Sequence, residues 1–152
     1  MIFCSFVGSV THDVRMELLS ELNEKDGYLI KAFRWQQDVP DEQKNLFKAV
    51  IEQSRFTLCP RGYGTTSYRL YEAMQVGSIP VYVSDKLMLP WNDELDWSEF
   101  CVVISANRIN DVDQVLKGYT ESEVRAMQDK LHAVYPLYFT IPATYNQIVK
   151  RL

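Results

Sequence analysis

The segment Ser54–Asp85 most constrains the fold of this 152-residue chain, because it carries signals for a strand, a glycine-rich loop, a helix and a second strand in that order. Arg55–Cys59 favours a β-strand, and Pro60, which has no N–H to donate to a ladder, predicts the end of that strand. Ile79–Val83 is apolar enough to be a strand buried on both faces, as parallel strands are. The segment therefore predicts one strand–helix–strand unit of a parallel sheet.

The loop inside this segment has the composition of a ligand-binding turn. Gly62 and Gly64 permit positive φ angles and a close backbone approach by a bulky group. Ser67 and the threonines before it are residue types that cap exposed N–H groups at a helix start. The helix is predicted over Ser67–Val76, and Gly77 predicts its end.

Two charged side chains lie near the predicted start of this helix. Arg69 and Glu72 are three residues apart and share one face, away from the apolar side. An arginine beside a helix N-terminus suits phosphate oxygens, and a carboxylate one turn later can accept from the two hydroxyls of a ribose. This order predicts a nucleotide site. The alternative is an ordinary surface ion pair between the two side chains.

The same segment and its continuation resemble the exostosin-type glycosyltransferases, in the half of their GT-B fold that binds the nucleotide sugar. The similarity is concentrated between Phe56 and Trp97 and is weaker at the two ends of the chain. The matching residues are Phe56, Pro60, Arg61, Gly62, Ser67, Arg69, Glu72, Ala73, Pro80, Val81, Leu89, Pro90, Asp96 and Trp97. The resemblance implies a UDP-sugar donor and inverting transfer to a glycan or other hydroxyl acceptor, with no metal or other cofactor.

The resemblance also implies further residues of the donor site. The loop that begins at Gly8 follows the first predicted strand, at the sheet edge where such folds face their ligands. Arg15 matches an arginine that helps to hold the diphosphate, and Arg61 is a second candidate. Asp85 is expected beside the donor sugar. The alternatives are a solvated helix arginine for Arg15 and a turn cap for Asp85.

The remaining chain continues the alternation of strand and helix. Trp35 follows the second predicted strand, where its ring either stacks on a base or packs against the next loop. Strands are predicted over Ile2–Val7, Tyr28–Phe33 and Cys101–Ile104, and helices over residues 12–24 (capped by Thr11), 41–53, 109–119, 121–135 (ended by Pro136) and from Pro142 to the C-terminus. We therefore predict an α/β fold: one Rossmann-like, doubly wound, mostly parallel sheet with helices on both faces, forming a single domain over residues 1–152.

Composition excludes several classes of partner. A net charge of −4 gives no general attraction to nucleic acid or to anionic membranes, and no apolar run is long enough to span a bilayer. The three cysteines, Cys4, Cys59 and Cys101, fall at or in predicted strands and are expected to be reduced core residues. We expect a cytoplasmic protein on this sequence, unless it is part of a longer secretory protein.

The family pattern also implies a missing part. Its members have an acceptor-binding half before the donor half, and this chain begins at the first strand of the donor half. No general base is therefore assigned. The sequence is expected to be a piece of a longer protein, or to work with an acceptor-binding domain on another chain or in a homo-oligomer, or to be a non-catalytic nucleotide-sugar-binding module. Neither GxGxxG after the first strand nor GxxxxGK[ST] occurs, which disfavours a dinucleotide oxidoreductase and excludes a P-loop ATPase.

Overall fold

Five parallel strands form a single sheet in this computed structural model, which describes residues 1–152. The strands are β1 (Ile2–Ser9), β2 (Tyr28–Phe33), β3 (Ser54–Pro60), β4 (Ile79–Ser84) and β5 (Val102–Ser105). Their order across the sheet is β2-β1-β3-β4-β5, so the direction of winding reverses between β1 and β3. A crevice at the carboxyl ends of these two strands is where doubly wound sheets bind ligands.

Five of the six α-helices flank the sheet. The six helices are α1 (Asp13–Leu22), α2 (Asp41–Glu52), α3 (Tyr68–Gln75), α4 (Val112–Gly118), α5 (Glu121–Tyr138) and α6 (Ile141–Val149). The sixth, α6, packs on α5. Helices α1 and α4 pack on one face, whereas α2, α3 and most of α5 lie on the other. The predicted α/β fold class is confirmed, and every strand pair is parallel.

The core follows from the two-residue period of the strands. In β3, Phe56 and Leu58 join the apolar cluster under α1 and α4, while Cys59 points to the cluster under α3 and α5. Both sides of β3 are therefore buried, as its apolar sequence predicts. Cys4, Cys59 and Cys101 are all fully enclosed with free thiols, and burial raises the pKa of each.

Two boundaries at the carboxyl edge differ from prediction. The cap of α1 is His12 rather than Thr11, because the Nδ1 atom of His12 accepts a hydrogen bond from the Val14 amide at 3.2 Å. Pro60 is the last residue of β3 rather than the first residue after it. It pairs with Val83 inside the ladder, where the next hydrogen bond is donated by the amide of Arg61 to the Val83 carbonyl at 2.9 Å. The ladder therefore does not need the N–H that proline lacks.

Two helix predictions are also wrong. Pro136 lies inside α5, which continues to Tyr138, because a proline this close to the helix end removes only one hydrogen bond of the last turn. The helix predicted over residues 109–119 is a 3₁₀ turn (Ala106–Asp111) followed by the shorter α4. The backbone of Arg108 is non-helical and interrupts the regular pattern.

The last helix, α6, carries an exposed apolar strip. Its members recur every three or four residues, the spacing of one helix face. The apolar strip consists of Ile141, Tyr145 and Ile148. Ile141 is 88% exposed, so this face makes little use of its apolar side chains in the fold itself. None of the helices has the length and apolar character that a bilayer span requires.

Candidate functional site

Two cavities meet at the carboxyl ends of β1 and β3. The glycine-loop cavity, of about 330 Å³, is lined by Ser9, Thr11, Arg15, Gly62, Tyr63, Gly64, Thr66, Ser67, Tyr68, Arg69 and Glu72. The tryptophan cavity, of about 290 Å³, is lined by Val7, Gly8, Ser9, Phe33, Arg34, Trp35, Gln36, Val39, Gln43, Lys44, Phe47, Arg69 and Glu72. Ser9, Arg69 and Glu72 belong to both cavities. The two cavities therefore form one cleft, and the predicted nucleotide-binding residues Arg69 and Glu72 lie where the cavities meet.

Arg69 is the enclosed charge at the centre of this cleft. Its guanidinium carbon lies 4.5 Å from the centre of the Phe6 ring and 5.4 Å from that of Phe47. The guanidinium makes no hydrogen bond or ion pair, and its Nε atom is buried without a partner. Arg69 therefore does not form the surface ion pair with Glu72 that the alternative interpretation predicted. Burial lowers the pKa of Arg69.

Arg15 is a second arginine in the same cleft, and its side chain is buried. Its Nη1 atom donates to the carbonyl of Ser9 at 2.7 Å, and its Nη2 atom donates to the carbonyl of Pro60 at 3.0 Å. Burial, together with the nearby charge of Arg69, lowers the pKa of Arg15 to about 10. Arg15 therefore joins the ends of β1 and β3 across the crevice while it contributes positive charge to it. It is not the solvated helix arginine of the alternative interpretation.

Neither arginine has a carboxylate within ion-pair distance, although the molecule contains ten other ion pairs. A buried charge without a counterion is unfavourable unless a ligand neutralises it. The N-terminus of α3 opens on the same cavity, and the hydroxyl of Ser67 accepts from the amide of Arg69 at 3.3 Å. The arrangement is an anion site built from two guanidinium groups and a helix start.

Glycines at two positions make room for these arginines. A Cβ atom at Gly8 would overlap the Nη2 atom of Arg69. A Cβ atom at Gly62 would lie 3.0 Å from the Nη2 atom of Arg15 and 3.1 Å from the Oγ1 atom of Thr11. Gly8 and Gly62 were predicted as site residues, and the structure places both against the arginines of the cleft.

Arg61 and Asp85 lie next to the cleft but line neither cavity. They pair with each other, with the Nη1 atom of Arg61 at 2.6 Å from Oδ1 of Asp85. The hydrogen bond from Arg61 lowers the pKa of Asp85. Their predicted contacts with phosphate and with sugar stay predictions. In the structure, the pair connects the glycine-rich loop to the residues that follow β4.

The largest concavity of the molecule lies elsewhere. It has a volume of about 560 Å³ and is lined by Leu87, Leu89, Asn92, Asp93, Glu94, Leu95, Asp96, Trp97, Ser98 and Val103. It contains three carboxylates and no basic side chain, so it would repel a phosphate. Volume alone is therefore a poor guide to the site here. No group of three or more His, Cys, Asp or Glu side chains anywhere in the chain is placed to hold a metal ion.

One wall of the cleft was missed by sequence reasoning. The ring of Phe47, on α2, lies over the guanidinium of Arg69 and lines the tryptophan cavity. The sequence of α2 carried no sign of what Phe47 faces, because the packing of α2 against α3 depends on the whole fold.

Comparison with known proteins gives a family match. The model of the exostosin GT47 domain matches residues 1–119 of the chain. The chain belongs to the exostosin GT47 family. The matched region contains all five strands and both walls of the cleft, so the exostosin resemblance expected from the sequence is confirmed.

Curated relatives have names that fit the family. A probable glycosyltransferase of Arabidopsis thaliana is 29% identical over 129 residues, which is 85% of this chain and 26% of the relative. The exostosin-1 homolog of Caenorhabditis elegans is 26% identical over 116 residues, 76% of this chain and 30% of the relative. A probable glucuronoxylan glucuronosyltransferase of Arabidopsis thaliana is 29% identical over 86 residues, 57% of this chain and 18% of the relative. The chain thus spans less than a third of the length of each of these exostosin and glycosyltransferase relatives.

Proposed function

We propose that this exostosin-family chain is the donor-binding domain of a glycosyltransferase and that its ligand is a UDP-sugar. The observation that carries the proposal is a pair of arginines, the buried Arg15 and the half-buried Arg69, which share the crevice between β1 and β3 without an acidic partner. A diphosphate supplies the two negative groups that such a site lacks. Glu72 lies one helical turn from Arg69 and lines both cavities, where a ribose next to the diphosphate would offer it two hydroxyl donors.

The chemistry that this site would support is displacement at the anomeric carbon. The acceptor hydroxyl forms a new bond to that carbon from the side opposite the diphosphate, the bond from the carbon to the diphosphate oxygen breaks, and the configuration inverts. The electron pair of the broken bond stays on the diphosphate. Arg69, Arg15 and the amides at the start of α3 would stabilise this developing charge, and no metal is required for that role. We assign no general base for the acceptor proton to this chain.

Calorimetric titration with UDP, pyrophosphate and NAD tests the proposal. We expect UDP and pyrophosphate to bind and NAD to bind more weakly than UDP. Arg69→Gln removes the unpartnered charge and should lower the affinity for both UDP and pyrophosphate by about tenfold or more, the effect of losing a hydrogen bond to a charged group. Arg125→Gln is the matched control, since Arg125 is exposed on α5, away from the cleft. Tighter binding of NAD than of UDP, or equal affinities of the two glutamine variants, would refute the assignment.

The apolar strip on α6 favours a second candidate function. An exposed apolar strip is expected of a nucleotide-sugar-binding module that works against an acceptor-binding domain on another chain. A transfer assay separates the two candidates. UDP-glucuronate is a suitable first donor, because one relative is named a glucuronosyltransferase. Transfer to xylan oligosaccharides by the isolated chain would exclude the module, whereas tight donor binding without any transfer would favour it.

A further inference from the structure

The two cavities of the cleft differ in chemistry, and this difference gives the bound nucleotide a direction. The glycine-loop cavity contains Arg15, the start of α3 and mostly polar residues. The tryptophan cavity extends from Arg69 and Glu72 towards the end of β2 and the start of α2, where apolar side chains form much of its wall. A ligand that spans both therefore has its charged part on one side of Arg69 and a flat apolar part on the other.

Trp35 is the exposed ring of the tryptophan cavity. Its side chain is 56% exposed. None of the aromatic pairs in the molecule includes Trp35, whereas Trp97 packs on two phenylalanine rings in the core. The indole therefore keeps a free face.

The polar groups beside Trp35 suit the edge of a flat heterocycle. The Nε2 atom of Gln36 donates to the Oε1 atom of Gln43 at 3.1 Å, which leaves the carbonyl oxygen of Gln36 and the NH2 group of Gln43 free to bind a ligand. Both residues line the tryptophan cavity. A carbonyl acceptor next to an N–H donor complements the edge of uracil, in which an N–H group lies beside a carbonyl oxygen.

We infer that the tryptophan cavity is the nucleobase subsite and that Trp35 is the platform on which the base stacks. This inference rests on the proposed function, because it takes the diphosphate to lie between Arg15 and Arg69. The order along the cleft is then sugar and diphosphate in the glycine-loop cavity, ribose at Glu72 and base against Trp35. The sugar end points towards the glycine-rich loop and the base end towards α2.

Binding measurements on Trp35 variants test the inference. Stacking on an aromatic ring contributes enough that Trp35→Ala should weaken UDP binding by about tenfold. The affinity for pyrophosphate, which has no base, should not change. Trp35→Phe keeps a ring and should retain most of the affinity for UDP. Trp91→Phe is the control, since Trp91 lies against Arg151 and outside both cavities.

Tryptophan fluorescence gives an independent readout. UDP should quench the emission of the wild type and of Trp91→Phe, and this change should disappear in Trp35→Phe. The inference is overturned if Trp35→Ala binds UDP as tightly as the wild type, or if the quenching survives in Trp35→Phe. In both cases the proposed function stands, provided that wild-type UDP binding still depends on Arg69. A wild type that binds neither UDP nor pyrophosphate overturns both.

Discussion

The guanidinium of Arg69 lies over the face of the Phe6 ring, 4.5 Å from its centre, where a carboxylate would be the usual partner of a buried arginine. A ring face attracts the cation but cannot neutralise it. The Phe47 ring lies 5.4 Å from the same guanidinium carbon. The two rings contact the guanidinium without neutralising it and leave its charge available to the cleft, which suits an arginine that binds an anion.

Arg69→Met should make the chain more stable while it removes anion binding. The substitution replaces a half-buried cation that has no counterion with a flexible apolar side chain that can still contact both rings. We expect the free energy of unfolding to rise by about 1 kcal/mol, as found when buried charges are replaced by apolar residues. Urea denaturation measures the gain in the free energy of unfolding, and calorimetry measures the loss of pyrophosphate binding. A variant that is less stable than the wild type would show that Arg69 stabilises the fold.

Gly8→Ala should displace the guanidinium of Arg69 without unfolding the chain. The added Cβ atom meets the far end of the flexible Arg69 side chain, so the arginine can move, while the φ of +157° at Gly8 adds local backbone strain that urea denaturation measures. Affinity for pyrophosphate should fall by about tenfold, because a charge-assisted contact is lost. Gly118→Ala is the matched control, since a Cβ atom at Gly118 meets nothing within 4 Å. Unchanged affinity in Gly8→Ala would mean that the position of Arg69 is not critical.

Glu72→Gln should remove the discrimination between ribose and deoxyribose. The wild type should favour UDP over 2′-deoxy-UDP by about 1 kcal/mol, the value of one hydrogen bond in a partly open site. The variant should lose much of this difference and bind pyrophosphate at least as well, because a repelling carboxylate is gone. Competition binding with the three ligands on both proteins checks each expectation. Equal affinity of the wild type for both nucleotides would rule out the ribose contact.

The carboxyl group of Asp85 should titrate below its usual pKa of 3.8, because Arg61 donates a hydrogen bond to its ionised form. Because the pKa is lower in the folded state, the pair stabilises the fold above about pH 3.8, the usual pKa of the group. This contribution is lost as the pH falls through the lower pKa of the folded state. Carbon-13 NMR of the carboxyl group measures the titration. Arg61→Gln should return the pKa towards its usual value, and an unchanged midpoint would show that another group holds it down.

The sequence predicted the parts of the site that lie within one strand–helix unit. Ser67, Arg69 and Glu72 follow one another on a single helix, so their spacing determines their order around the cleft. The contacts that depend on distant elements could not be predicted in the same way. The rings of Phe6 and Phe47 come from β1 and α2, and only the packing of three elements brings them to Arg69. Likewise, no local signal showed that Arg61 would be engaged by Asp85, 24 residues later.

The two hydrogen bonds of Arg15 have a consequence for the kinetics of binding. Because they join the last carbonyl groups of β1 and β3, the width of the crevice is set when the chain folds rather than when a ligand arrives. A ligand that enters does not need to order this part of the backbone, so little conformational entropy is lost on association. Association at this end of the cleft should then be limited by diffusion and ionic strength, and differences in affinity between donors should be found mainly in their dissociation rates.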